Sequence, residues 1–87
     1  MNIDRDEIIM DIFNSNIEVS GATILTIKGM VNGTITIDKD SKVEIYGVVN
    51  GNIINSGTCV IWGMINGALI RNGGKFDVKP GASVGEP

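Results

Sequence analysis

The side chain best equipped for covalent chemistry in this sequence is Cys59, and it stands without a chemical partner. The 87 residues contain no His and no second Cys. A thiol becomes a nucleophile when a neighbouring base or cation lowers its pKa. His-assisted mechanisms and the usual His/Cys zinc sites are therefore excluded, as is a disulfide framework within the chain. Cys59 lies in the apolar run Cys59-Val60-Ile61 and reads as a small core hydrophobe. The densest set of oxygen ligands is Asp38-Lys39-Asp40-Ser41 with Glu44 nearby. An EF-hand loop would need a Gly at its sixth position and a bidentate Glu at its twelfth, and neither is present, so the segment reads as a solvated turn. The other carboxylates are scattered, with no pair placed for glycoside chemistry. No glycine-rich loop ends in the Lys that a phosphate cradle requires. No catalytic, metal-binding or cofactor-binding residue is assigned, and the expectation is a non-enzyme without a small-molecule substrate.

Charge and hydropathy narrow the partners. The net charge is −3, with acidic and basic residues interspersed, which argues against nucleic acid. Asp4, Asp6 and Glu7 carry the wrong sign for the start of a secretory signal peptide. The longest apolar runs, such as Cys59-Val60-Ile61-Trp62, fall far short of the roughly 20 residues of a membrane-spanning helix. The expected compartment is the cytoplasm, which suits an unpaired cysteine.

The elements that would position any functional surface come from a repeat. Lys28-Gly29-Met30-Val31-Asn32-Gly33, Tyr46-Gly47-Val48-Val49-Asn50-Gly51 and Trp62-Gly63-Met64-Ile65-Asn66-Gly67 share one pattern, x-G-h-h-N-G. Their first glycines are 18 and then 16 residues apart, from positions 29, 47 and 63. Each word follows an Ile/Val-rich segment: Leu25-Thr26-Ile27, Val43-Glu44-Ile45 and Cys59-Val60-Ile61. Alternation of this composition is strand chemistry. Ile17-Glu18-Val19 and Phe76-Asp77-Val78 extend the series at either end. Leu25, Val31, Ile37, Val43 and Val49 fall six apart, as a triangular coil with one aliphatic per face would require. A two-residue deletion around Asn55-Ser56-Gly57 accounts for the shorter repeat. The predicted fold is all-β, a single parallel β-helix (β-solenoid) of about four windings over residues 16–79.

The competing arrangement is an antiparallel meander, because Asn-Gly between apolar runs is a strong hairpin signal. That arrangement would place a glycine inside a strand of every hairpin, where it weakens pairing, and would leave the six-residue spacing without a cause. Residues 1–15 differ from the rest. Asp4-Arg5-Asp6-Glu7 matches a capping box, and Ile8, Ile9, Ile12 and Phe13 fall at helical spacing. An N-terminal capping segment, in the form of a short helix, is the economical expectation, since an open solenoid end exposes strand edges. An extended segment joining the first winding is the plainer alternative. Residues 80–87, rich in Gly and Pro, read as a loose tail.

The aligned words also define outward columns. Lys28, Tyr46 and Trp62 stack in one column facing solvent, and Met30, Val48 and Met64 in a second. The second column is either exposed or turned inward at the corner. If exposed, the two form an interaction surface for a protein partner or for another copy of the chain. Asn32, Asn50 and Asn66 fall in register as an amide ladder, a structural device.

The x-G-h-h-N-G words, Gly33-Thr34-Ile35-Thr36-Ile37 and Pro80-Gly81-Ala82-Ser83-Val84-Gly85 resemble the bactofilin family of bacterial cytoskeletal β-helices, over about residues 17–85. The resemblance implies nucleotide-free end-to-end polymerisation and no catalytic site. The chain has fewer windings than that family, and an acidic N-terminal segment where the family carries a short hydrophobic membrane-targeting tail. The hexad is also similar to that of the left-handed hexapeptide acyltransferases, but the His those enzymes use as general base is missing here. Two functions follow as expectations: a self-associating structural module, forming a homo-oligomer or filament, or a small acidic inhibitor, such as an immunity protein or a phage anti-defence protein, that binds a target through one face.

Overall fold

A computed structural model describes residues 2–84 of the chain. Fifteen short strands follow one another among these residues, without a helix. They are β1 (Asn2–Ile3), β2 (Glu7–Ile9), β3 (Ile12–Phe13), β4 (Ile17–Val19), β5 (Ile24–Ile27), β6 (Met30–Val31), β7 (Ile35–Ile37) and β8 (Lys42–Ile45). The series continues with β9 (Val48–Val49), β10 (Ile53–Asn55), β11 (Thr58–Ile61), β12 (Met64–Ile65), β13 (Leu69–Arg71), β14 (Lys75–Val78) and β15 (Ser83–Val84). Every strand pairs in parallel with the one three places on, giving sheets β1-β4-β7-β10-β13, β2-β5-β8-β11-β14 and β3-β6-β9-β12-β15. The fold is therefore the parallel β-solenoid that the repeat predicted, with three faces around one axis. Five layers make four steps of about 4.8 Å, or roughly 19 Å, which matches the shortest extent of the molecule, 19 Å.

Residues 2–15 correct one expectation. They form no helical cap but an extra layer, with β2 on β5 and β3 on β6. The apolar spacing of Ile8, Ile9, Ile12 and Phe13 suits two short strands around a corner as well as one helical face. The pull of open strand edges on β4–β6 decides between them. At the other end, Ser83–Val84 of the expected loose tail pairs with β12, while residues 85–87 lie outside the described part. No helix among the described residues is long and apolar enough to cross a membrane.

Register explains the core. Ile27, Ile45 and Ile61 stack in one inward column, Val31, Val49 and Ile65 in another, and Ile17, Ile35 and Ile53 in a third. All nine are essentially inaccessible. Branched side chains suit these columns because they lose little rotamer freedom on a pleated surface. The two-residue deletion appears as a change of register: Ile37 faces Asn55, an offset of 18, whereas Val43 faces Cys59, an offset of 16. Asn55 occupies a core position there and is fully buried. Its amide donates to the Lys75 carbonyl at 2.8 Å, and its side-chain oxygen accepts the Gly57 N–H at 2.9 Å. The short corner is closed by a side chain doing the work of missing backbone.

The first glycine of each word has a steric role. A Cβ on Gly47 would lie 2.0 Å from the Gly29 carbonyl oxygen, and one on Gly63 would lie 2.0 Å from that of Gly47. The corners of successive layers touch backbone to backbone, so no larger residue fits. Gly47→Ala should lower stability by at least ~3 kcal/mol, the upper end of ordinary overpacking costs, and Asn55→Ala by about 2 kcal/mol through unpaired buried groups. Urea denaturation midpoints check both; a cost below ~1 kcal/mol for Gly47→Ala would contradict the close approach.

Candidate interaction surface

The strands that precede the x-G-h-h-N-G words, β5, β8 and β11, end at a corner where the chain leaves the second sheet for the third. Inward Ile27, Ile45 and Ile61 are each followed by an outward residue, which places Lys28, Tyr46 and Trp62 one above another. The stack is held by the backbone: the Tyr46 N–H donates to the Ile27 carbonyl and the Trp62 N–H to the Ile45 carbonyl, both at 2.8 Å. The Tyr46 and Trp62 rings lie parallel, with centroids 4.6 Å apart and planes within 1°. That separation is close to the spacing between paired strands. Lys79 lies on the far side of Trp62, its Nζ 5.9 Å from the ring centroid and 2.9 Å from Asp77 Oδ2. An aromatic face between a cation and a second ring is a favourable arrangement for both partners.

The column Met30, Val48 and Met64 faces outward. Val31, Val49 and Ile65 take the inward positions beside them, leaving Met30 and Val48 half-buried and Met64 exposed. The structure thus brings all six expected residues to one corner and its adjoining face. Two more residues belong with them. Ile12 pairs with Met30, and Met10 follows Ile9, the register partner of Ile27, as Lys28 follows Ile27. Both are among the most exposed large apolar side chains, at 63% and 69%. Counting back 18 residues from Lys28 and Met30 finds them in the sequence; reading residues 1–15 as a helix hides them. With Lys28, Met30 and Val48 they line a shallow groove.

Next to this surface runs the amide ladder, one rung longer than the repeat words suggest. Asn32 donates to Asn14 at 2.6 Å, Asn50 to Asn32 at 2.8 Å and Asn66 to Asn50 at 2.7 Å. Each amide has both a donor and an acceptor, so identical side chains satisfy one another indefinitely.

Residues with possible covalent or metal chemistry sit elsewhere. Cys59 is buried in the inward column between Val43 and Phe76. Asp38 Oδ1 accepts the N–H of Lys39 at 2.9 Å, within its own turn. Among the described residues no three His, Cys, Asp or Glu side chains are grouped to hold a metal ion.

Burial pushes the Cys59 thiol from 9.0 up to about 12, because the anion would lose its hydration in the core. The folded chain holds this proton more tightly than the unfolded one. Its contribution to stability is thus complete below about pH 9.0 and disappears as pH rises through about 12. Cys59 should resist a thiol reagent in the native protein and react promptly in denaturant, and the urea midpoint should fall on the alkaline side of pH 9.0; fast native labelling would contradict the burial. In comparisons with protein-family models, curated proteins and solved structures, the chain matches none.

Proposed function

We propose that this chain is a non-catalytic structural module that associates with copies of itself by stacking the windings of one on those of the next. The observation that carries this reading is the state of the two ends. Strands β1–β3 at one end and β13–β15 at the other are edge strands, each hydrogen-bonded on a single side among the described residues. Ile3 of β1 is nevertheless buried, at 2%. The core columns run out to partly accessible Ile9 and Phe13 at one end, and to Leu69, Phe76 and Val84 at the other. Open edges invite further parallel pairing, and the charges at inward positions of the end layers, Glu7 and Arg71, are what a joint between copies must pair. The likeness of the repeat words to bactofilins supports the same reading, with the cytoplasm as the place of assembly.

A second reading is favoured by one specific feature. The exposed Tyr46–Trp62 stack beside Met30, Val48 and Met64 is the composition of a protein-binding surface, and it suits a small acidic inhibitor that covers a target.

Size-exclusion chromatography with light scattering, together with negative-stain microscopy, separates the two. End stacking predicts a mass that grows with concentration; a monomer at every concentration retires it. Trp62→Ala should leave such assemblies intact, because the column lies on the side of the coil. If it dissolves them instead, the side face is the interface.

A further inference from the structure

Charge is sorted along the axis of the coil, and this gives the self-association reading a direction. The first layer, residues 2–16, carries Asp4, Asp6, Glu7 and Asp11 against Arg5, a formal side-chain charge of −4 + 1 = −3. The last described layer, residues 69–84, carries Arg71, Lys75 and Lys79 against Asp77, or +3 − 1 = +2, with Glu86 following it in the sequence.

Two of these charges occupy positions that are inward in the interior layers. Glu7 continues the column of Leu25, Val43, Cys59 and Phe76. Arg71 continues that of Ile3, Val19, Ile37 and Asn55. A charge at either position would be buried in the middle of the coil, where an unpaired ion is costly. At an open end both are exposed. They flank the same corner, formed by residues 4–6 at one end and 72–74 at the other.

Continuing the register by one layer shows what a second copy would meet. Ile3 of the next copy would lie over Arg71, Asp6 over Lys75, Glu7 over Phe76, Ile9 over Val78 and Phe13 over Val84, so the Arg71 guanidinium must turn out of its own column to meet a carboxylate. The path from Arg71 to those carboxylates already has a precedent within the chain. Asn55, one layer below Arg71 in its column, reaches across the corner to the Lys75 carbonyl in the next layer. Arg71, one layer further along, is placed to reach in the same way toward Asp6 and Glu7 of the next copy. A head-to-head joint would instead set −3 against −3, and a tail-to-tail joint +2 against +2, and like charges across an interface are strongly disfavoured.

We propose that copies of this chain stack head to tail, the acidic β1–β3 end of one on the basic β13–β15 end of the next, with Arg71 answering Asp6 and Glu7 across the joint. This rests on the self-association reading above, and the test keeps the two apart. The C-end variant is Arg71→Glu with Lys75→Glu; the N-end variant is Asp6→Lys with Glu7→Arg. Sedimentation velocity follows each alone and the two mixed, and circular dichroism checks that both keep the β-sheet signal.

Wild type should associate, and less so as salt is raised, since the joint is ionic. Each variant alone should lose association, because both its ends then carry one sign. An equimolar mixture should recover it, the reversed ends meeting each other. The milder Arg71→Gln should weaken association roughly tenfold or more. If wild type stays monomeric at every concentration, self-association itself fails, and the polarity with it. If wild type associates but either reversed variant alone assembles equally well, the joint is not head to tail and only the polarity is overturned. Failure of two folded variants to recover on mixing also overturns it.

Discussion

In a parallel coil held in register, every residue lies about 4.8 Å from the residues at the same position in the layers above and below, and that proximity governs the rest of the molecule. A residue type must therefore tolerate its own kind as a neighbour. Branched aliphatics do so inside, and Ile27, Ile45 and Ile61 form one such column. Glycine does so where corners touch backbone to backbone, as at Gly47 against Gly29. Asparagine does so because its amide both donates and accepts, and flat rings do so by stacking, as Tyr46 and Trp62 show. Like charges do not, and in none of the paired strand columns do two charged residues sit on adjacent layers.

The same rule creates the problem of the ends. A structure that satisfies each layer by repeating it has no natural last layer. The solution at the N-terminal side is a layer that repeats the path while changing the chemistry. There the apolar column is continued by Glu7, and the β2 layer carries Ile8 outward at 58% exposure. At the C-terminal side Arg71 continues a core column. Charges placed on core positions keep both ends hydrated in the free chain and give them opposite sign. The terminal layers thus place charge at the edges that the described strands leave unpaired.

The interior was legible because its signal is periodic. The x-G-h-h-N-G words, the aliphatic hexad and the shortened repeat at Asn55 each record one contact between layers, and recur wherever that contact recurs. The N-terminal layer was not legible as a strand layer, because Glu7 breaks the hexad and the remaining apolar residues fit a helix equally well. Only docking on β5 and β6 separates the two. The outward course of Met30, Val48 and Met64 was likewise open, since a corner changes the alternation on which facing is judged. Met10, Ile12 and Lys79 join the surface only once the first and last layers are in place.

The sequence by itself therefore determined the repeat length, the inward aliphatic columns, the amide ladder and the need for glycine at the corners, because each follows from a residue meeting its own copy one winding away. The tertiary structure alone decided the fate of residues 2–15, the direction of the corner side chains and the exposure of charges at the two ends. Those depend on which layers are outermost among the described residues, and a local pattern of residues carries no record of its place in the stack.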